Sequence, residues 1–336
     1  MGTLVDLIAV ALFAGSLASA LLIGALMMRA GVVDAPDGVR KTQSAAVPRL
    51  GGVAIAGPLI IFVLVTAPTS IGYAVFSGAN FSAFIAVLGA FLIGLWDDIN
   101  PVSASLKLIL LAICFVAAAF LGLHPAELAS PFGTVTLLAT LATGSALWLL
   151  VFTNAANFID GANGLAIGCI AIMLLGLALI SQQHGNLYFG YGWFVLFGAL
   201  AGFLIHNLMG KLYAGDAGAL GLGALFASLG LISGLEVWTV ATLALPFLID
   251  VLLTLVWRAK HRRAWLEPHL DHAYQRMITN GWSHLDVAIL YWGLSGVCAA
   301  AAYIAASGGG VLPFIMFWAL TAIGTILWRL HRRAQT

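Results

Sequence analysis

The sequence has very little charge for its length. Only 8% of its 336 residues are Asp, Glu, Lys or Arg, and 62% are hydrophobic. A soluble domain carries roughly 25% charged residues, which form its polar surface. Because so few charges cannot cover a chain of this size, the composition excludes an ordinary water-soluble protein and predicts one that lies in a membrane.

Cysteine is also scarce. The three cysteines, Cys114, Cys169 and Cys298, all lie within apolar stretches. Their positions argue against a disulfide framework or a metal knuckle, and we expect them to pack as small apolar side chains.

The chain lacks the basic segment that precedes the apolar core of a signal peptide. Its first apolar run follows Asp6 and is too long for such a core, so we expect it to be retained. Runs long enough to cross a bilayer recur along the chain. Because a helix satisfies its own backbone in lipid, the sequence predicts an all-α integral membrane protein, a single polytopic bundle over residues 1–336. About eleven transmembrane helices are predicted, at 7–28, 48–66, 79–95, 105–122, 136–153, 161–181, 190–208, 217–233, 238–256, 287–305 and 309–328.

The basic residues predict the orientation of these helices. If the N-terminus lies outside and the spans alternate, all 14 Lys and Arg residues fall on the inner side, whereas Asp6, Glu127 and Glu236 fall on the outer side. Cytoplasmic loops are the ones that carry an excess of Lys and Arg. We therefore expect the N-terminus outside and the C-terminus in the cytoplasm.

The same orientation places three acidic residues at the inner face. Asp97 and Asp98 stand where the third span ends, and Asp216 lies in a Gly-Asp-Ala-Gly segment before a glycine-rich span. Adjacent carboxylates repel one another and lose hydration at a membrane boundary, so a cation should compensate for them. A divalent metal or Lys107, at the next span's start, could do so. A simpler interpretation makes these acids helix caps.

Residues 154–164 form a second polar segment at the inner face. Asn154, Asn157, Asp160 and Asn163 interrupt two apolar runs there. Their amide and carboxylate groups suit a nucleoside, a sugar or a metal. The alternative is a well-capped tight turn with no ligand.

A pair of histidines follows a basic run near the C-terminal third of the chain. His269 and His272 come after Arg262 and Arg263. At this spacing the histidines would share one face of a helix. Beside cations they suit a diphosphate better than a metal cage, because no third His or Cys is close in sequence. An amphipathic helix at the lipid headgroups is the simpler alternative.

Taken in order, these motifs resemble those of the polyprenyl-phosphate N-acetylhexosamine-1-phosphate transferase family, of the glycosyltransferase 4 type. The resemblance extends over nearly the whole chain. It rests on the first inner loop, the paired aspartates, the Asn-rich segment, the Gly-Asp segment, a Pro-Phe-Leu-Ile-Asp segment and the histidine loop, at 34–52, 97–98, 154–165, 215–218, 246–250 and 269–276.

The resemblance implies a reaction and a location. A HexNAc-1-phosphate would pass from a UDP-sugar to undecaprenyl or another polyprenyl phosphate, giving a polyprenyl-diphospho-sugar and UMP. This would begin a cell-envelope polysaccharide such as O-antigen, at the cytoplasmic face of the inner (plasma) membrane. The spaced pair His269 and His272 is unlike the three-histidine run of phospho-MurNAc-pentapeptide transferases, which stay the alternative within the family.

The resemblance also implies roles for individual residues. Asp97, Asp98 and Asp216 would be catalytic, with Mg²⁺ or Mn²⁺ held by Asp216 and Asp97. The expected substrate-binding residues carry amide, carboxylate, imidazole or cationic groups that suit uridine, sugar and phosphate, and they are Arg49, Lys107, Asn154, Asn157, Asp160, Asn163, His269, His272, Arg262 and Arg263. We expect the two substrates and the bilayer as partners, no nucleic acid, and a homodimer as an open alternative. This assignment requires the three aspartates to lie together.

Two other kinds of protein compete with this assignment. A transporter would carry ionisable residues near the middle of its spans and an inverted repeat. Here the polar residues gather at one face, and Asp250, an acid inside the ninth span, lies near the inner end of that span. A CDP-alcohol phosphotransferase would need a D-G-x-x-A-R signature, which the chain lacks.

Overall fold

A computed structural model of the chain describes residues 2–35, 46–185, 190–263 and 269–333. Within these residues there are thirteen helices and two short antiparallel strand pairs. The helices are α1 (Gly2–Met27), α2 (Gly51–Thr66), α3 (Ser70–Val75), α4 (Gly78–Ile99), α5 (Ala104–Phe120), α6 (Leu138–Ile159), α7 (Leu165–Gln183), α8 (Gly192–Leu208), α9 (Gly215–Ile232), α10 (Val237–Lys260), α11 (Ala273–Thr279), α12 (His284–Gly308) and α13 (Leu312–Arg333). The strands are β1 (Val33–Asp34), β2 (Val47–Pro48), β3 (Leu128–Ser130) and β4 (Gly133–Val135).

Eight of these helices are long and apolar enough to cross a membrane: α1, α4, α6, α7, α9, α10, α12 and α13. Three shorter helices, α2, α5 and α8, are equally apolar but have only 16 or 17 residues. Together they stand at the positions of the eleven predicted spans. The helical, polytopic class agrees with the prediction, whereas the count of eleven spans and the orientation stay predictions.

Several helices continue past the ends that hydropathy predicts. Helix α4 runs to Ile99, α6 to Ile159 and α10 to Lys260. The paired aspartates therefore stand on the last turn of a helix. Asn154 and Asn157 are also helical, which corrects the expectation that residues 154–164 form one polar interruption between two spans.

Helix α9 lies at the centre of the bundle. In the most apolar stretch of α9, 72% of the residues are buried, whereas in the corresponding stretch of α13 only 6% are buried. Small residues let its neighbours approach closely. A Cβ atom on Gly52 of α2 would lie 2.3 Å from the amide nitrogen of Gly218, and one on Gly94 of α4 would lie 2.4 Å from the carbonyl oxygen of Asp216. These contacts bring the start of α2 and the last turns of α4 to the start of α9.

Main-chain hydrogen bonds join the start of α2 to the loop before α9. The N–H of Gly51 donates to the carbonyl of Tyr213 at 2.9 Å, and the N–H of Tyr213 donates to the carbonyl of Pro48 at 2.8 Å. Strand β2 pairs with β1 just before this point, so Arg49 is held between two fixed segments. The rest of the predicted first inner loop, residues 36–45, lies outside the described residues.

Candidate active site

Asp98 is buried and binds the start of α9. Its Oδ1 accepts a hydrogen bond from the N–H of Asp216 at 3.0 Å, and its Oδ2 accepts one from the N–H of Ala217 at 2.9 Å. The first N–H groups of a helix have no partner within it, so a carboxylate there caps the helix. Asp98 thus fixes the position of the helix that carries Asp216.

Gly215 allows this cap to form. Its φ of 69° lies in the left-handed region, which a residue with a side chain rarely adopts. A Cβ atom there would lie 2.1 Å from the carbonyl oxygen of Arg49 and 2.5 Å from Oδ2 of Asp98. The Gly-Asp segment therefore needs its glycine for backbone shape and for space.

Arg49 binds the carboxyl end of α4. Its Nε donates to the carbonyl of Asp98 at 3.0 Å, and one Nη donates to the carbonyl of Asp97 at 3.3 Å. Its other Nη lies 3.9 Å from Oδ1 of Asp34. Since the last carbonyls of a helix lack partners within it, Arg49 caps α4 here. Its predicted role in binding substrate stays a prediction.

Asp97 and Asp216 share the ammonium group of Lys107. The Nζ atom donates to Oδ2 of Asp97 at 2.9 Å and also to Oδ2 of Asp216. The second oxygen of Asp97 accepts the N–H of Val102 at 2.6 Å, and the second oxygen of Asp216 accepts Nδ2 of Asn157 at 3.0 Å. The three charged side chains are 17–26% exposed. Four helices therefore build one cluster that solvent can reach.

The three aspartates lie together, as the assignment made from the sequence requires. Asp97 and Asp216 share the Nζ of Lys107, and Asp98 accepts a hydrogen bond from the backbone N–H of Asp216. Lys107 compensates for the carboxylates, as one of the two predicted alternatives required.

The other polar residues of segment 154–164 have different environments. Asn154 donates from Nδ2 to a backbone carbonyl one turn earlier, at 2.8 Å. Asn163 lies in the turn after α6, where its N–H meets Nδ1 of a histidine at the start of α12, at 3.3 Å. Of the predicted group, Asn157 is the member whose side chain binds a predicted catalytic residue. Ligand roles for Asn154 and Asn163 stay predictions.

Asp160 follows directly after the last residue of α6 and is partly exposed. Desolvation by burial, together with the negative charges of Asp216 and Asp98, raises the pKa of Asp160 to about 7. Near neutral pH its carboxyl group can therefore either donate or accept a hydrogen bond. This property suits a group that contacts a hydroxyl or amide of a ligand.

The two histidines do not share one face of a helix, which corrects the prediction. Helix α11 begins after them, and their rings meet across a bend with centroids 4.9 Å apart. His272 is buried between the rings of Phe158 and Tyr274, and the hydroxyl of Tyr274 donates to the carbonyl of Phe158 at 2.9 Å. His269 is the more exposed of the two. The histidine loop thus packs on the end of α6, the helix that also contributes Asn157 to the acidic cluster.

Asp250 is a buried residue whose partners the sequence did not indicate. Its Oδ1 accepts the N–H of Ala273 at 2.7 Å, and its Oδ2 accepts the hydroxyl of Tyr291 at 2.7 Å. Nδ1 of His272 lies 3.7 Å from Oδ1. The only signal in the sequence was an acid within an apolar span. Asp250 joins α10, α11 and α12 behind the histidine loop.

The basic run pairs with an acid of the histidine loop. Asp271 accepts hydrogen bonds from Arg258 and, at 3.2 Å, from Arg263, and Arg332 donates to its backbone carbonyl at 3.0 Å. Burial alone would raise the pKa of Asp271, but the Arg258 hydrogen bond and the charge of Arg263 hold it below its ordinary value. Arg262 is exposed, with a φ of 55°. Phosphate binding by Arg262 and Arg263 stays a prediction, and residues 264–268 lie outside the described residues.

The side-chain oxygens of the acidic cluster are the type of ligand that a hard divalent cation binds. Mg²⁺ prefers carboxylate, phosphate and water oxygens, and Asp97 and Asp216 offer carboxylates. No group of three or more His, Cys, Asp or Glu side chains within the described ranges has the arrangement of a metal site. From the described residues the cluster would therefore supply these two carboxylates, and Lys107 already binds one oxygen of each.

Comparison with known proteins gives a family for the central part of the chain. The sequence model described as glycosyl transferase family 4 matches residues 80–234. This range contains the acidic cluster, Lys107 and the Asn-rich segment. The match confirms the resemblance that the motifs indicate and, with it, the class of enzyme, a phosphosugar transferase.

Three similar proteins carry related names. A probable undecaprenyl-phosphate N-acetylglucosaminyl 1-phosphate transferase of Bacillus subtilis is 27% identical over 279 residues, which cover 79% of this chain and 75% of that protein. Phospho-N-acetylmuramoyl-pentapeptide-transferases of Levilactobacillus brevis and of Synechococcus sp. are 28% and 33% identical over 158 and 198 residues. These matches cover 46% and 52% of this chain, and 48% and 52% of those proteins. The chain therefore spans only about half the length of the latter two.

Proposed function

Given the family match over residues 80–234, we propose that this protein transfers a HexNAc-1-phosphate from a UDP-sugar to a polyprenyl phosphate such as undecaprenyl phosphate. The observation that supports this most is the cluster of Asp97, Lys107, Asn157 and Asp216, built by four helices at one solvent-accessible end of an apolar bundle. Such a site can receive a water-soluble nucleotide and a lipid headgroup together.

In the proposed reaction, an oxygen of the polyprenyl phosphate attacks the β-phosphorus of the UDP-sugar. A new phosphorus–oxygen bond forms, the bond from this phosphorus to the oxygen bridging to the α-phosphate breaks, and UMP leaves with the bonding electron pair. Phosphoryl transfer needs alignment and charge neutralisation more than covalent help from the protein.

Different side chains of the cluster would align the reactants and neutralise their charge. Asp97 would orient the attacking phosphate, and Lys107 would neutralise charge on the diphosphate. Asp216 and Asp97 would hold Mg²⁺, which when bound would screen the charge between the reactants. Asp98 would act as a positioning residue, because its carboxylate binds the backbone of α9.

Residues around the cluster would bind the other groups of the UDP-sugar. Asn157 and Asp160 would contact the uridine or the sugar, and His269 would reach the diphosphate. We propose the cytoplasmic face of the inner membrane as the place of the reaction, because alternating spans predict all 14 Lys and Arg residues on the same side as the acidic cluster. The product would begin a cell-envelope polysaccharide such as O-antigen.

The test is transfer of radiolabel from UDP-GlcNAc to undecaprenyl phosphate by the purified protein in detergent with Mg²⁺. Removing a group that stabilises the transition state typically costs about 100-fold or more in rate. We expect such a loss for Asp97→Asn and for Asp216→Asn, while Asp6→Asn, an exposed carboxylate on α1, leaves the rate unchanged. Near-normal rates in both site variants would refute the assignment. Substrate transport by sealed vesicles without a lipid product would favour a transporter instead.

Phospho-MurNAc-pentapeptide transfer is the second candidate, because two of the similar proteins named above carry that activity in their names. The spaced histidines His269 and His272 favour the first candidate. Parallel assays with UDP-GlcNAc, UDP-GalNAc and UDP-MurNAc-pentapeptide, read by mass spectrometry of the lipid product, would distinguish the two and identify the donor sugar.

A further inference from the structure

Every carboxylate oxygen of Asp97 and Asp216 already has a hydrogen-bond donor within the chain. Oδ1 of Asp97 accepts the N–H of Val102, and Oδ1 of Asp216 accepts Nδ2 of Asn157. The remaining oxygen of each acid accepts Nζ of Lys107. Among these three donors only Lys107 carries a charge. The pair of acids is therefore satisfied and partly neutralised without any metal.

Lys107 and a divalent cation would compete for the same two oxygens. Mg²⁺ binds oxygen at about 2.0–2.1 Å, which leaves no room for an ammonium group on the same lone pairs, and the two cations repel. Val102 donates from its backbone and Asn157 is neutral, so neither opposes a cation by charge. The donor that must leave is Lys107, whose long side chain is 18% exposed and can turn outward.

We infer that Lys107 is an internal counter-ion that keeps a divalent metal off Asp97 and Asp216 until a nucleotide diphosphate arrives. This inference rests on the proposed function. A diphosphate offers new oxygen partners to Lys107 and further oxygen ligands to the metal. Both effects favour replacement of Lys107 by the metal on the two carboxylates. Metal and nucleotide then bind synergistically, and Lys107 links the two binding events.

The inference is tested by Mn²⁺ binding to the purified full chain, read from the electron paramagnetic resonance signal of free Mn²⁺, with and without UDP. The Mn²⁺ that UDP binds by itself is measured in protein-free solution and subtracted. Coupling between two ligands is typically 5–150-fold. We expect UDP to tighten Mn²⁺ binding by about tenfold or more in the wild-type protein. Lys107→Met should bind Mn²⁺ about tenfold more tightly than wild type in the absence of UDP, with a smaller effect of UDP. Lys107→Arg, which keeps the charge, should stay near wild type.

Lys211→Met is the matched control, because Lys211 is an exposed lysine in the loop before α9 and should leave Mn²⁺ binding unchanged. Equal Mn²⁺ affinity in wild type with and without UDP would overturn the inference, and so would equal affinity in wild type and Lys107→Met. If Lys107→Met does not yield folded protein by size exclusion, Lys107→Gln, which removes the charge and keeps a hydrogen-bond donor, takes its place in the same comparison.

The aspartate variants separate failure of this inference from failure of the proposed function. If Asp97→Asn and Asp216→Asn both leave Mn²⁺ binding intact, the metal lies elsewhere and the proposed site is wrong. If both weaken Mn²⁺ binding while Lys107→Met changes nothing, the site stands and only the counter-ion role of Lys107 is refuted.

Discussion

The contact between α4 and α9 at Gly94 offers a test of how the site is held together. Gly94 lies one turn before Asp98, on the same face of α4. A Cβ atom at this position would lie 2.4 Å from the carbonyl oxygen of Asp216 and 2.6 Å from the amide nitrogen of Ala217. Both are backbone atoms, so no flexible side chain can move aside. Gly94→Ala therefore has to separate the two helices.

The size of the separation follows from these distances. Ordinary van der Waals contact begins at 3.4 Å, so the helices must part by about 1 Å. The hydrogen bonds from α9 to Asp98 measure 3.0 and 2.9 Å, and such a movement would break them. Each abandoned N–H costs about 1–3 kcal/mol. Asp216 would also move relative to Lys107, and a misplacement of about 1 Å can cost about 100-fold in rate.

The assay is the transfer of radiolabel to undecaprenyl phosphate, together with the thermal unfolding midpoint in detergent. We expect Gly94→Ala to lose about 100-fold in rate and to unfold at a lower temperature. The control is Gly144→Ala on α6, where no atom other than the nearby backbone of its own helix lies within 4 Å of the added methyl group. Its rate should match wild type, and its midpoint should not fall, because Ala favours a helix over Gly. A Gly94→Ala protein with a wild-type midpoint and a rate within about threefold of wild type would refute this account of the helix contact.

Three further substitutions test residues around the cluster. Asp250→Ala leaves the buried hydroxyl of Tyr291 without its acceptor, so we expect a loss of about 1–3 kcal/mol in the free energy of unfolding; an unchanged denaturation midpoint would contradict this. Asp98→Asn has one acceptor oxygen instead of two, so one N–H of α9 loses its partner and we expect a similar loss, measured in the same way. Asp271 has a pKa held below its ordinary value despite burial, chiefly by Arg258. Its contribution to stability is therefore complete above about pH 4 and lost as the pH falls through the lowered pKa. Asp271→Asn should be less stable than wild type at neutral pH and equally stable in strong acid, and a pH-independent difference would contradict the ion pair.

The helices could be predicted from the sequence more reliably than their ends. Long apolar runs indicate α1, α4 and α10 because lipid tolerates few other arrangements of the backbone. Hydropathy marks where the side chains become polar, whereas a helix ends where its backbone hydrogen bonds end. Asn154 and Asn157 illustrate the difference, since both are polar and both lie within α6. The ends of helices near a functional site are therefore where this kind of prediction fails.

The membership of the acidic cluster could be predicted, but its hydrogen bonds could not. The common sidedness of the motifs indicated that Asp97 and Asp216 approach one another. Whether Lys107 or a metal compensates for them depends on distances that no spacing in the sequence contains. The geometry of the histidines likewise depends on Asp250, which binds the first N–H of α11 and starts that helix after the pair.

Asp97 and Asp98 are adjacent in sequence but point in different directions, because consecutive residues of an α-helix are rotated by about 100°. Asp98 is buried against the backbone of α9, whereas Asp97 is 17% exposed and faces Lys107. The paired-aspartate motif is therefore not one two-carboxylate ligand. The second acid beside Asp97 is Asp216, from a helix more than a hundred residues later in the chain. Asp98 fixes the start of that helix, so the motif pairs a residue that faces the site with a residue that sets the position of its partner.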